Sequence, residues 1–197
     1  MSQSDFTQLP EELSNSDSIK VLSDLNAQAT YYDIVVRSSS KEAAVSGASQ
    51  DNVPIVQYDR NNGFNQQWLI YYLGDYVAFQ ARHSGKFMDV FEGRTEPDVQ
   101  IIQHPDKPVD NQLWKLFDLG NYEYAIQAKH SGLFMTIQGN SQDNGALFIQ
   151  YPWENKNNQK FEFYIAATTA ISETPAKLPD PVVLHSINSL PQIYVSD

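Results

Sequence analysis

The stretch Asp110-Asn111-Gln112-Leu113-Trp114 decides the fold, because two close copies of it occur elsewhere in the chain. Asn65-Gln66-Gln67-Trp68 precedes it and Asn158-Gln159-Lys160-Phe161 follows it, so each copy is an Asn-Gln pair, a variable residue and a large aromatic residue. Successive copies are 46 and 47 residues apart. Self-similarity at a fixed spacing of this size is typical of proteins that are built from repeated structural units.

Four short runs of alternating apolar and polar residues occur in each repeat. In the second repeat they cover residues 76–82, 87–90, 99–104 and 112–116, and turns rich in Gly, Asn, Asp, Ser and Pro separate them. Alternation of this kind between turn signals predicts β-strands. No stretch of the repeats has the length and the period of a helix, so the chain is predicted to be all-β with twelve strands.

The predicted domain covers residues 30–166, with repeats at about 31–70, 75–117 and 122–165. A unit of this size cannot bury its apolar face alone, so the three units must pack around a common axis. Closure of the strands into a barrel also removes the exposed edges that an open sheet would present. We therefore expect one body with pseudo-threefold symmetry.

Two segments flank this body. Residues 1–29 form an acidic, polar N-terminal arm, in which Pro10 and Glu11 suit the first turn of a short helix that reaches no further than Leu25. Residues 167–197 contain prolines at positions 175, 179, 181 and 191, so an extended path is expected. Their apolar runs favour a strap across the barrel or a docking role, and a linker to another domain is the alternative.

The composition excludes several classes of function. The net charge is −11 and Lys and Arg are not clustered, so nucleic acid is not expected as a partner, because its phosphates would be repelled. The absence of cysteine excludes disulfides and thiol catalysis. We recognise neither a signal peptide nor a transmembrane segment, and we expect a protein that is cytoplasmic or released without a conventional leader.

The Gln-x-Trp copies, together with the His-Ser-Gly triplets at His83 and His130, carry a resemblance to a known family. Over about residues 31–163 the chain resembles the ricin-B-type lectin domain, a sugar-binding module. Each copy also follows a strand that ends in Gln and an aromatic residue, which fits the family pattern. The resemblance implies a β-trefoil, in which hairpins cap a barrel, and a non-catalytic carbohydrate-binding function.

The family pattern also implies a site. An Asp on the second strand and the Asn before the Gln of Gln-x-Trp bind sugar hydroxyls, and an aromatic ring at the end of the third strand stacks on the sugar face. A backbone N–H from the turn after the Asp often assists. The second repeat keeps this pattern, so the resemblance makes it the predicted primary carbohydrate-binding site, with residues Asp89, Gly93, His104, Asn111 and Gln112.

The other two repeats lack the acid, since Thr136 and Ala44 stand at its position. They are predicted to form weaker, secondary sites. The residues of these sites are Thr136, Tyr151 and Asn158 in the third repeat, and Tyr58 and Asn65 in the first.

Other recurring residues have structural roles in this interpretation. Trp68, Trp114 and Phe161 are expected in the core, because each ring contributes roughly 4–6 kcal/mol when it is buried. The glutamine amides are expected to bridge backbone groups of a turn, and the His-Ser-Gly triplets suit turns. None of the common motifs for nucleophilic catalysis, zinc binding or phosphate binding is present. No catalytic residue, cofactor or metal site is therefore predicted.

The expected partners are glycans or glycoconjugates, and galactose-type ligands are common in the family that the chain resembles. One open site binds a monosaccharide at about the millimolar level, so useful affinity needs several sites that act together. The C-terminal extension is a candidate for joining subunits of a homo-oligomer or a further domain. Two alternatives stay open: the targeting domain of a larger toxin or glycan-active enzyme, and a trefoil that binds protein.

Overall fold

The computed structural model describes residues 30–47, 49–107, 109–166 and 174–178. The predicted N-terminal arm, and the predicted extension apart from residues 174–178, lie outside the described residues. Within the described ranges, no helix is long and apolar enough to cross a membrane.

The described residues form twelve β-strands, four in each repeat. Their bounds in the first repeat are β1 (Tyr31–Val36), β2 (Glu42–Val45), β3 (Val53–Tyr58) and β4 (Gln67–Leu73). In the second repeat they are β5 (Tyr76–Ala81), β6 (Phe87–Val90), β7 (Ile101–His104) and β8 (Trp114–Gly120). In the third repeat they are β9 (Glu123–Ala128), β10 (Phe134–Ile137), β11 (Phe148–Tyr151) and β12 (Phe161–Ile165). A single turn of 3₁₀-helix precedes the fourth strand of each repeat.

The first and fourth strands of the repeats close a six-stranded antiparallel barrel. The strands follow the order β1-β4-β5-β8-β9-β12, and β12 pairs with β1 to complete the ring. The second and third strands form three hairpins. Pairing of β3 with β7 and two isolated bridges join these hairpins into a cap. The protein is therefore a β-trefoil, and the predicted all-β fold of three four-stranded repeats is confirmed.

The large aromatic residue of each motif copy lies in the barrel core. Trp68, Trp114 and Phe161 have no solvent exposure, which confirms their predicted place. The Trp68 indole N–H donates to the carbonyl of Ala43 at 3.0 Å, and that of Trp114 donates to Met88 at 3.4 Å. Phe161 has no such donor and keeps only the packing. The motif aromatics thus fill the core, and the two indoles also tie the fourth strand of their repeat to the second.

A set of buried glutamines holds the cap to the turns. Each accepts a hydrogen bond of 2.7 Å from a serine hydroxyl of its own repeat and donates to a backbone carbonyl of another repeat. The glutamine and serine pairs are Gln57 with Ser39, Gln103 with Ser84, and Gln150 with Ser131. Ser84 and Ser131 are the central residues of the two His-Ser-Gly triplets. These serines therefore link each turn to the cap hairpin that follows it.

Residues 174–178 lie against the barrel. Leu178 is only 2% exposed and belongs to the main core cluster, and its N–H donates to the Tyr124 hydroxyl at 3.3 Å. The N–H of Ala176 donates to the carbonyl of Phe163 at 2.6 Å. This short part of the chain after β12 therefore covers part of the apolar core.

The first repeat buries two carboxylates beside one arginine. Arg60 donates to Glu42 and lies 3.2 Å from Asp33, and both acids are almost wholly buried. Burial raises the pKa of Glu42 from 4.5 to about 7, the neighbouring charge of Asp33 adds to the rise, and Arg60 opposes it. Burial likewise raises the pKa of Asp33. One cation therefore leaves the two buried acids incompletely compensated, which favours a proton on Glu42.

Glu42→Gln should make the free energy of unfolding less dependent on pH. The folded chain binds the Glu42 proton more tightly than the unfolded chain, so the stability from this group is full below pH 4.5 and is lost as the pH rises to about 7. The loss is at most about 3 kcal/mol in the wild-type chain. Urea unfolding of both proteins at about pH 5 and about pH 8 measures the difference. The same pH dependence in both proteins would contradict the assignment.

Candidate functional site

The glutamine of each motif copy forms the same frame in all three repeats. Its side-chain oxygen accepts a backbone N–H, and its amide nitrogen donates to a backbone carbonyl two residues earlier than that N–H. The glutamines are Gln66, Gln112 and Gln159, and all three are buried. The frame fixes the segment after the third strand, and the predicted bridging of turn backbone by these amides is confirmed.

The second repeat places Asp89 above this frame. One carboxylate oxygen of Asp89 accepts from the Asn111 side-chain amide at 2.7 Å, and the other accepts from the Gln112 amide at 2.9 Å. Asn111 also donates to the carbonyl of Val90 at 3.0 Å. These donors hold the carboxylate from two sides, and Asp89 is 1% exposed, so it lies at the bottom of the predicted site.

The other two predicted residues of the primary site are Gly93 and His104. Gly93 follows β6 in a tight turn with φ of 64° and lies beside Asn111, since a methyl group built on it would be 3.8 Å from the amide. His104 ends β7 opposite Phe87, is partly exposed, and its Nδ1 lies 3.2 Å from the carbonyl of Pro105. The structure therefore brings Asp89, Asn111 and Gln112 into direct contact and places Gly93 next to Asn111.

Gln112 has no donor left for a ligand. Both of its amide hydrogens are used, one towards Asp89 and one towards the carbonyl of Pro105, and the residue is 2% exposed. The sequence placed Gln112 among the sugar-binding residues, whereas its position is that of a residue that orients Asp89.

The electrostatics of Asp89 reflect its depth. Burial raises the pKa of its carboxyl above the ordinary value, because the charged form loses solvation. The hydrogen bond from Gln112 and the electrostatic interactions with Lys107, His104 and His130 act in the opposite direction. Burial and these interactions therefore act on the Asp89 pKa in opposite directions, and burial is the larger effect.

The third repeat has a cavity at the equivalent position. It measures about 420 Å³ and contains all three predicted residues of this repeat, Thr136, Tyr151 and Asn158, in its walls. The Thr136 hydroxyl takes the place of the Asp89 carboxylate and accepts from the Gln159 amide at 3.0 Å. The side-chain oxygen of Asn158, one of the lining residues, is buried and has no hydrogen-bond partner among the described residues.

Three charged residues of this cavity were not predicted. Asp98, Glu154 and Lys156 line it together with Tyr151, and Lys156 and Glu154 form an ion pair of 2.9 Å. Asp98 belongs to the second repeat, in the loop between β6 and β7, so a comparison of repeats by position could not assign it to a third-repeat site. The cavity thus has carboxylates on its walls although its second strand carries no acid.

The first repeat has the least developed site. Ala44 provides no polar group at the acid position, and the amide of Asn65 donates to the carbonyl of Val45 at 3.0 Å. Tyr58 is 44% exposed at the end of β3.

Across the described parts of the chain, no group of three or more His, Asp or Glu side chains could hold a metal ion.

Solved structures share this fold. The designed threefold-symmetric protein ThreeFoil is 38% identical, with a TM-score of 0.67 over 68% of this chain and 96% of that chain. An exo-β-1,3-galactanase from Clostridium thermocellum is 27% identical, with a TM-score of 0.67 over 69% of this chain and 30% of that chain. The Macrolepiota procera ricin B-like lectin in complex with lactose shares the fold at 19% identity, with a TM-score of 0.57 over 68% of this chain and 93% of that chain. No curated protein matches the chain at a significant level.

A family model covers most of the same residues. It is described as a ricin-type beta-trefoil lectin domain-like family, and it matches residues 20–104 and 110–174. These ranges include all twelve strands and every predicted site residue. The chain belongs to the ricin-type β-trefoil lectin domain-like family.

Proposed function

We propose that the protein is a lectin that binds glycans without chemical change, through shallow sites on its second and third repeats. The observation that carries the proposal is the fixed carboxylate of Asp89, held by Asn111 and Gln112. A carboxylate that is oriented by two amides can accept from vicinal sugar hydroxyls, since each oxygen retains capacity for a further hydrogen bond.

In the proposed second-repeat site, Asp89 accepts from sugar hydroxyls at the floor and Asn111 offers its amide oxygen beside it. His104, at the end of the paired strand β7, provides a ring that can contact the apolar face of the sugar. Gly93 forms the turn beside Asn111, and its φ of 64° suits glycine. These contacts are few, which fits a weak individual site.

The third-repeat cavity is proposed as a second site. Tyr151 supplies a larger ring than His104, the unpartnered oxygen of Asn158 supplies an acceptor, and Asp98 and Glu154 supply carboxylates. Two sites on one chain allow a displayed glycan to be bound more tightly than either site would allow alone.

Galactose-containing glycans are the proposed ligand class. The structural neighbours include an exo-β-1,3-galactanase and a lectin in complex with lactose. The galactanase is matched over only 30% of its length, and this favours, as a second candidate function, a sugar-binding domain that targets a larger glycan-active protein. Either function requires the same sugar contacts in this chain.

Asp89→Thr should weaken glycan binding at the second-repeat site by at least about tenfold while the fold is retained. The substitution copies the third repeat, where Thr136 accepts the hydrogen bond from the motif glutamine, so the Gln112 amide keeps a partner. The carboxylate is lost together with the hydrogen bond that Asn111 donates to it, while Asn111 keeps its bond to the carbonyl of Val90. Calorimetric titration with lactose and a thermal melt of the same sample measure the two effects.

Ala44→Ser is the matched control for this substitution, because it changes the same position in the repeat without an acid. Its lactose affinity should equal that of the wild type. Unchanged lactose affinity in Asp89→Thr, with an unchanged melting temperature, would contradict the second-repeat site.

Tyr151→Ala should remove the third-repeat site and reduce binding to a multivalent galactose surface more than binding to free lactose. The reason is that one site remains for the free sugar, whereas bridging between two sites is lost. Tyr58→Ala, which removes the equivalent ring of the first repeat, is the control and should leave both unchanged. Surface plasmon resonance on a galactose-coated chip measures this, and equal effects of the two substitutions would contradict a third-repeat site.

A further inference from the structure

Each repeat has a second cleft, on the side of the cap hairpin that faces the barrel wall, which we call the side cleft. Four residues define it. Two are barrel residues that pair across neighbouring strands, the third is the first residue of the second strand, and the fourth lies two positions after the third strand. In the third repeat these are Phe117 and Ala125, Phe134, and Trp153. In the first they are Tyr164 and Asp33, Glu42, and Arg60. In the second they are Tyr71 and Ala78, Phe87, and Asp106.

The side cleft of the third repeat is filled by an indole. The Trp153 ring lies 5.0 Å from the Phe134 ring, and Phe134 lies 5.8 Å from Phe117 at an interplanar angle of 45°. With Ala125 these residues form a separate buried cluster. Trp153 is therefore an internal plug for this cleft.

The side cleft of the first repeat is filled by a cation. Arg60 reaches into it, donates to Glu42, lies near Asp33, and has its guanidinium 5.6 Å from the centre of the Tyr164 ring. The plug is different: an arginine beside two carboxyl groups and a tyrosine ring takes the place of the indole.

The side cleft of the second repeat has two aromatic walls like those of the third repeat, but it has no residue that fills it as Trp153 does. Tyr71 and Phe87 lie 5.7 Å apart at an interplanar angle of 42°, close to the values for Phe117 and Phe134. Asp106 occupies the plug position and is exposed to solvent. A cavity of about 690 Å³ remains, and none of the described side chains fills it.

The aromatic walls of the second-repeat side cleft are more exposed to solvent than their counterparts in the third repeat. Tyr71 is 38% exposed, whereas its counterpart Phe117 is 4% exposed. Phe87 is partly exposed, whereas its counterpart Phe134 is 1% exposed. The second repeat therefore presents preformed aromatic walls to solvent, which is costly unless something covers them.

The chemistry of the walls restricts the occupant. Besides the two rings, the cavity is lined by the apolar side chains of Leu73, Ala78, Val109 and Leu113. Of the charged residues that line it, Asp110 is paired with Lys129 at 2.8 Å. Asp106 and Lys107 are the other charged residues of the lining, but most of the lining surface is apolar and complements an uncharged guest, and the volume is that of ordinary small-molecule sites.

We propose that the second-repeat side cleft is a binding site for the planar, uncharged aromatic group of a small-molecule ligand. The ring would lie where the indole of Trp153 lies in the third repeat, against Tyr71 and Phe87. The proposed sugar contacts Asp89, His104 and Asn111 do not line this cleft, and it shares with their site only Gln112.

Indole itself is the probe. Calorimetric titration should give saturable binding to one site of the wild-type chain. Asp106→Trp supplies the chain with its own plug, so it should weaken indole binding by at least about tenfold and raise the melting temperature by about 2–4 °C. Asp51→Trp adds the same ring to an exposed turn and is the matched control, with binding as in the wild type.

A second variant tests the cleft from the opposite direction. Trp153→Ala empties the third-repeat side cleft, so the chain should bind two indole molecules, and indole should restore part of the melting temperature that the substitution removes. Absence of saturable indole binding to the wild type, or unchanged affinity in Asp106→Trp, would overturn the proposal. A single indole bound by folded Trp153→Ala would overturn it too.

Discussion

The structure depends on the buried glutamine of each motif copy. Gln66, Gln112 and Gln159 each join the segment after the third strand to the start of the fourth, through one accepted and one donated backbone hydrogen bond. An unpaired backbone group at this depth would cost about 1–3 kcal/mol. The same amide position recurs three times because the barrel needs the same corner in each repeat. The corner therefore requires the same glutamine in each repeat, whereas the residue that the glutamine faces on the second strand can differ between repeats.

The second amide hydrogen of each glutamine shows how one frame supports different sites. In the second repeat it meets the Asp89 carboxylate, in the third the Thr136 hydroxyl, and at Ala44 in the first there is no polar side chain to meet. The residue at the plug position of the side cleft also varies. Arg60 and Trp153 fill the cleft in the first and third repeats, whereas Asp106 leaves it open in the second. Because the three repeats share one backbone frame, differences between their sites follow from the residues at these variable positions.

Much of the fold could be predicted because its signals are local and repeated. Strand alternation, turn residues and the motif spacing identify all twelve strands, and burial of Trp68, Trp114 and Phe161 follows from their size. The grouping of Asp89 with Asn111 also agrees with the pattern of the repeats. These features lie within single repeats, where position in the sequence and position in space correspond.

The features that escaped prediction arise between repeats or from depth. Asp98 reaches the third-repeat cavity from the loop of the preceding repeat, and no signal within the third repeat points to it. The near-complete burial of Asp89 and the full use of the Gln112 amide depend on packing around the site. The open side cleft depends on one residue, Asp106, whose importance appears only when the walls of all three repeats are superposed.

The central claim is that one repeated frame carries ligand contacts only where its variable positions supply them. Nuclear magnetic resonance of the side-chain amides during a lactose titration tests it most directly, because every repeat contains one asparagine at the same place. The account predicts that the amide signals of Asn111 and Asn158 shift with lactose concentration while that of Asn65 does not. Equal shifts for all three asparagines, or a shift of Asn65 alone, would contradict it.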